Sequence, residues 1–350
     1  MMTTTPIRDA EPLNPEFLPE TFHGRADQLQ QLRSATSSES VPVNLHLYGP
    51  RGTGKTHLAR HVLETLAEDT QTCLVPCTEF DTQYKVLKQL CRTVTGDEVS
   101  DGYHASDLKR MFEERSSDVQ TIIVLDQVDF LLLNDGSDLL YYLSRLQSDD
   151  GLGIITISET LPTLQPELEE RTFSTLHPET VLFKPYSSQT LFKILWDCVS
   201  TAFHPDTVTR EAVSVIASST ENAAYGLQWL KTAGEHAETI VSKELVEEVR
   251  PETDRAYVDQ LLAGFSIHHR VLYEAVVKLT DGSREVVHTG EIYRTYRKLL
   301  ESKRVKPLSD RRISDFIKHL ELLQVIEADY HYGGRHGKTR EIRLADETEA

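Results

Sequence analysis

The octet Gly49-Pro50-Arg51-Gly52-Thr53-Gly54-Lys55-Thr56 follows an apolar run, "VPVNLHLY", and precedes a segment of helical apolar spacing that extends to about Leu66. Such a strand–loop–helix passage constrains the chain strongly. The glycines leave backbone N–H groups free to close on an anion. Lys55 supplies a point charge to the outer phosphates of a nucleotide, and the Thr56 hydroxyl suits Mg²⁺. The positive end of the following helix, with His57 in its first turn, points at the same anion. Gly49 to His57 are therefore expected to hold ATP or ADP with Mg²⁺.

The rest of the first half agrees. "TCLVPC", "TIIVLD", "LGIITIS" and "TVLFKPY" read as strands, and helical patterns at "TQYKVLKQLCRTV", "HASDLKRMFEER" and "DLLYYLSRL" lie between them. Uninterrupted apolar strands alternating with helices indicate a parallel, doubly wound α/β sheet covered on both faces. Asp126 ends the "TIIVLD" strand, where a magnesium-holding carboxylate belongs; the plainer alternative is a cap for the next helix. The first 40 residues are polar and read as loop-rich. Residues 187–249 carry only helical patterns. "VRPETDRAY", with Pro251, reads as a charged connector. Beyond it come three helical segments and a hairpin, "VIEADYHYGGRHGKTREIRL", whose turn holds Gly333, Gly334 and Gly337. Three helices followed by a glycine-tipped hairpin is the order of a winged helix.

Composition narrows the setting. The opening "MMTTTPIRDAEP" lacks a basic end followed by an apolar run, so no secretory signal is expected. No stretch approaches the roughly 18 consecutive apolar residues of a membrane span. Cys73, Cys77, Cys91 and Cys198 lack a second Cys or His pair at ligand spacing, so buried, reduced thiols are expected, and with them a cytoplasmic location. The net charge is −18. Residues 261–344 nevertheless hold 16 basic and 11 acidic side chains, a balance of +5, and the remainder stands at −23. One basic segment on an acidic body is either a nucleic-acid footprint or uneven surface charge. Arginine outnumbers lysine 23 to 14, and with the acidic surplus the composition resembles that of proteins from salt-accumulating organisms.

Taken together, "LPETFHGRADQLQQL", "LYGPRGTGKT", "VLDQVDFLL", "RTFSTLHPETVLFKPYSSQTLFKIL", "AGEHAE" and "HTGEIYRTYRKLLESKRVKPLSDRRISDFIKHLELLQVI" resemble the archaeal origin-recognition/cell-division-control (Orc/Cdc) initiators, AAA+ proteins with a winged-helix domain. The resemblance runs from Phe17 to Leu344. It implies a flexible tail over residues 1–16, an α/β AAA+ nucleotide-binding core over 17–186, a helical lid over 187–250 and a winged-helix DNA-binding domain over 255–345. It further implies origin duplex DNA as partner, with recruitment of the replicative helicase, other initiator subunits and action at the nucleoid. Tyr186 aligns with a residue beside the nucleotide base; the plainer alternative is a core aromatic. Arg171 aligns with an arginine that reaches a neighbouring subunit's nucleotide, or is a solvated ion-pair partner. Arg25 falls in the family's box near the adenine. "SDRRISDFIKHL" resembles the recognition helix, which assigns Arg311, Arg312 and Lys318 to DNA, and the wing adds Arg335, Lys338 and Arg340, with His336 beside them. The family's short DNA-contacting insert falls near residues 96–107, which here hold no Lys or Arg.

The departures fall on the hydrolytic groups. The family's Asp-Glu pair is Asp126-Gln127 here, and an amide cannot act as a general base. The polar sensor after "IS" is Glu159, an acid beside the outer phosphate. The lid's sensor arginine is Ala224, and a further expected arginine is Cys198. The chain is thus expected to bind nucleotide and hydrolyse it weakly or not at all. The alternative is a nucleotide-locked DNA-binding regulator without turnover.

Overall fold

The computed structural model describes residues 5–37, 42–116, 119–281, 285–331 and 339–345. The chain divides into two compact units, Met1–Val246 and Glu247–Ala350.

The first unit opens with helix α1 (Ala26–Ala35), then β1 (Leu45–Tyr48), α2 (Lys55–Glu64), β2 (Gln71–Pro76), α3 (Gln83–Thr95), α4 (Ala105–Ser116), β3 (Thr121–Asp126), α5 (Val128–Leu133), α6 (Ser137–Asp150), β4 (Leu152–Ser158), α7 (Glu170–Leu176) and β5 (Glu179–Leu182). The strands form one parallel sheet in the order β2-β3-β4-β1-β5. Every residue of β4 is buried, and so are the first five of β3, because helices cover both faces. Leu45, Leu47, Leu58, Val62, Ile155, Ile157 and Phe183 form the core beneath β1 and α2. α1 corrects the loop-rich expectation for the first 40 residues: Leu32 and Ala35 are buried and Leu29 packs against the same core.

The helices α8 (Ser188–Ala202), α9 (Arg210–Ser219), α10 (Ala223–His236) and α11 (Lys243–Glu248) follow. Ser187, Thr209 and Asn222 cap the first three, each accepting from a backbone N–H three residues on. Of the segment expected as a flexible tail, residues 5–16 are described, and part of them packs here. The amides of Arg8 and Asp9 donate to the Ala202 carbonyl at 2.8 and 3.0 Å, Ile7 pairs with Phe203, and Leu13 is buried. A helix end leaves its last carbonyls without partners, and these amides supply them.

The second unit begins with α12 (Arg250–Leu261), then α13 (Ile267–Thr280), β6 (Val287–His288), α14 (Thr289–Lys303), α15 (Asp310–Leu322), β7 (Ile326–His331) and β8 (Thr339–Leu344). α12 replaces the expected connector: Pro251 sits in its first turn, where the missing N–H has no intrahelical role. The hairpin gains a short third strand, giving an antiparallel β6-β8-β7 sheet.

Candidate nucleotide site and winged helix

The sheet order decides what meets what. Tyr48 is in register with both Ser158 and Leu182, and Leu125 with Thr156. The carboxyl ends of β3, β4, β1 and β5 therefore line one edge, where ligands bind in doubly wound sheets. Gln127, Glu159, the 49–56 loop and residues 184–186 all leave from that edge.

The loop is closely built. Gly52 and Gly54 have φ of 71° and 84°. A Cβ at Gly52 would lie 1.8 Å from Asn222 Oδ1, and one at Gly54 would lie 2.8 Å from the Tyr186 hydroxyl. Glycine is required at both. Lys55 is buried, and its Nζ donates to the carbonyls of Gly49 at 2.6 Å and Pro50 at 2.8 Å. Thr53 closes the turn by donating to the Pro50 carbonyl at 2.8 Å. Burial lowers the Lys55 pKa, opposed first by the charge of Glu159 and then by that of Asp126. A bare backbone and a buried ammonium held only on carbonyl dipoles fit a phosphate chain.

Thr56 Oγ1 donates to both carboxylate oxygens of Asp126, at 3.1 and 3.0 Å. Burial raises Asp126 to about 6, against the pull of that hydrogen bond. A hydroxyl and a carboxylate sharing one point fit a hard divalent cation.

Glu159, one of the departures from the expected pattern, is bound to the phosphate loop itself. Arg51 Nη2 donates to Glu159 Oε2 at 2.5 Å and Nε to Oε1 at 3.3 Å; the two side chains are 6% and 11% exposed. Gln127, in the left-handed region at φ 52°, lies beside Glu159 and helps keep its carboxylate charged. Burial alone would raise the Glu159 pKa, but the charges of Arg51 and Lys55 with these bonds bring it below the ordinary value. The sequence leaves two escapes for an acid here, protonation or turning away. The structure shows a third, an ionised carboxylate neutralised by an arginine of the phosphate loop itself.

Three further groups hold this edge. Asp129 is buried and accepts from Ser158 Oγ at 2.7 Å and Thr160 Oγ1 at 2.5 Å, clamping the chain on either side of Glu159. Sequence reasoning missed it, although "DQVD" places it one turn beyond Asp126. Arg25 is buried and donates to the carbonyls of Thr53 at 3.0 Å and Lys184 at 2.7 Å, with its guanidinium 4.1 Å from the Tyr186 ring centroid. Arg25 and Tyr186 thus brace the loop from behind. Asn222 Oδ1 accepts from Tyr225 N at 3.0 Å, and Ala223 N donates to the Gly52 carbonyl at 3.1 Å. The start of α10 docks on the loop through backbone.

Burial lowers the His57 pKa, and the ring lies beside the backbone of Pro15 and Phe17. Arg171 pairs with Glu169 at 2.6 Å and lies 4.8 Å from the Tyr141 ring centroid. All four cysteines are buried free thiols, and Cys198 Sγ contacts the Pro12 carbonyl at 3.3 Å.

In the second unit Ile313, Ile317 and Leu320 turn α15 toward the core, leaving Arg311 and Arg312 exposed in its first turn. Lys318 lies 3.9 Å from Asp315. Arg340, expected to face DNA, is half-buried and donates to the Ser314 carbonyl at 3.3 Å, tying β8 to α15. Arg335, His336 and Lys338 lie outside the described residues. Among the described residues, no helix is long and apolar enough to cross a membrane.

Comparison with known proteins places these units. Residues 42–171 match the family described as AAA domain, and residues 260–350 match CDC6, C terminal winged helix domain. The chain is 30% identical to ORC1-type DNA replication protein 1 of Sulfurisphaera tokodaii, over 97% of this chain and 90% of that one. It is 32% identical to the ORC1-type DNA replication protein of Thermococcus kodakarensis, over 94% and 85%. Among solved structures it is similar to the Aeropyrum pernix ORC1 protein in complex with DNA, with a TM-score of 0.75 and 28% identity over 98% of this chain and 95% of that one. The chain belongs to the family of archaeal ORC1-type DNA replication proteins, AAA+ chains with a Cdc6 winged-helix domain.

Proposed function

We propose that this chain is a replication initiator that holds ADP or ATP with Mg²⁺ in its phosphate loop, binds origin duplex DNA through its winged helix, and turns nucleotide over slowly or not at all. The observation that carries the reading is an intact phosphate cradle beside a Gln127–Glu159–Arg51 cluster that offers no free general base. Losing a general base removes about 10²–10⁴ of rate. Lys55 and the loop amides would hold the phosphates, and Thr56 with Asp126 would hold Mg²⁺, which screens phosphate charge. The exposure of Arg311 and Arg312 at the start of α15 supports this reading, because groove-entering helices present their contacts in the first turn. Recruitment of the replicative helicase, assembly with other initiator subunits and action at the nucleoid rest on the family likeness.

Nucleotide content, steady-state turnover and origin-DNA affinity measured on one purified sample test this. Turnover at the rate of relatives that keep Asp-Glu would sink the slow-hydrolysis part. Absence of DNA binding at low salt would sink the initiator part. The same cluster also favours a nucleotide-locked regulator, which separates from the initiator by failing to support replication from an origin plasmid.

A further inference from the structure

We propose that the Arg51–Glu159 ion pair makes this phosphate loop selective for a nucleoside diphosphate over a triphosphate. The inference rests on the reading that the loop binds nucleotide. Glu159 follows Ser158, which is in register with Tyr48, and Arg51 lies three residues past Tyr48. The pair therefore spans the two neighbouring strand ends from which the loop departs. Its members make two hydrogen bonds, at 2.5 and 3.3 Å, and both are nearly buried. Asp129 holds Ser158 and Thr160 on either side. The carboxylate is fixed rather than free to swing out. It is also the largest favourable charge acting on Lys55, the residue that reaches the outer phosphates.

A diphosphate needs the loop amides and Lys55. A third phosphate adds negative charge on the side of Lys55 where Glu159 is held. Arg51 could meet that phosphate only by leaving Glu159, which would strand a buried carboxylate against another anion. Ala224 offers no replacement cation from the lid. The charge pattern thus penalises the outer phosphate specifically and leaves the inner ones alone.

The test is titration calorimetry of the nucleotide-free full-length protein with ADP and with a non-hydrolysable ATP analogue at fixed Mg²⁺. The unaltered protein should prefer ADP by roughly tenfold or more. Glu159→Gln removes the carboxylate's charge and should tighten the triphosphate by roughly tenfold while moving ADP less than about threefold. Arg51→Met exposes the carboxylate and should widen the ADP preference. A merely structural pair would move both nucleotides together. Should either single variant unfold, the Arg51→Met/Glu159→Gln double variant removes both charges at similar volume and should narrow the preference. Equal affinity for both nucleotides in the unaltered protein, or a ratio that no variant changes, overturns the selectivity alone. Failure of the unaltered protein to bind either nucleotide overturns the binding reading and the selectivity with it.

Discussion

His269 Nε2 and His319 Nδ1 lie 3.1 Å apart, joining α13 to α15 through one shared proton. The His269 ring also stacks on Phe316 at 3.9 Å, and its Nδ1 meets Ser266 Oγ at 2.9 Å. The helix that carries Arg311 and Arg312 is thus seated on a neutral imidazole. Burial pushes His269 down from 6.5 to about 3, with the neighbouring His319 and His268 adding to the effect. Unfolded, the ring takes a proton near pH 6.5; folded, it resists until about pH 3. Between those values the unfolded chain binds more protons, so stability is full above about pH 6.5 and falls as the pH drops. The loss should be about 2 kcal/mol by pH 5. Urea midpoints followed on the amide NMR signals of α13 and α15 should drop over that range. His269→Leu should lower the midpoint at pH 7 and flatten its pH dependence. A midpoint equally pH-dependent in the variant would remove His269 as the cause.

Restoring the family's glutamate should not restore hydrolysis. Gln127 lies beside Glu159, so Gln127→Glu sets two carboxylates close together in a largely enclosed site. Like charges there favour protonating one of them, and a protonated glutamate is no base. Turnover in Gln127→Glu should stay within about tenfold of the unaltered protein, on the scale that one general base normally supplies. A gain of two or more orders of magnitude, read by phosphate release, would show that position 127 alone limits the rate.

Lys55→Ala should separate the two activities. The amine bonds two loop carbonyls and is the cation offered to the phosphates, so its loss should weaken nucleotide binding by roughly 10–100-fold, the range of a charge-assisted hydrogen bond. Arg311 and Arg312 belong to the other compact unit. Duplex affinity of the full chain at fixed salt should change less than about threefold. A parallel collapse of both affinities would mean that nucleotide occupancy controls the winged helix.

The distances in the nucleotide site explain which parts of it the sequence could announce. The loop, Asp126 and every strand core are local patterns. "TIIVLD" becomes β3 residue for residue because a strand buried on both faces must be apolar throughout. α1 was hidden because only Leu29, Leu32 and Ala35 mark its inner face among polar neighbours. α12 was hidden because Pro251 reads as a break until its place in the first turn is known. Glu159 could be aligned as an anomaly, but its partner Arg51 lies 108 positions away, and only the β1–β4 register brings them together. Arg25 reaches Lys184 across 159 positions for the same kind of reason. Pairing across a sheet edge depends on strand order, which no local window carries.

The same distinction between exposed and engaged charge governs the winged helix. Arg297 is bound to Asp310 at 2.5 Å, Arg343 to Glu327 at 2.5 Å and Arg340 to the Ser314 carbonyl, so much of the basic surplus is committed inside the domain. Arg311 and Arg312 are exposed on α15, and Lys318 lies 3.9 Å from Asp315. Removing one phosphate-bound cation should lower the salt slope by about one, whereas a base-reading arginine carries about 1–3 kcal/mol of discrimination. Lys318→Ala and Lys338→Ala should therefore weaken origin and scrambled duplexes alike and flatten the salt dependence. Arg311→Ala or Arg312→Ala should weaken the origin duplex by about 5–100-fold more than the scrambled one, the binding ratio equivalent to that discrimination. Arg340→Ala should act differently again, lowering the stability of the hairpin against α15 before it touches specificity. Titrating each variant against both duplexes at several salt concentrations, with melting curves alongside, separates the three classes. If all variants bind both duplexes as the unaltered chain does, α15 is not the helix that meets DNA, and the +5 balance of residues 261–344 is ordinary solvated surface.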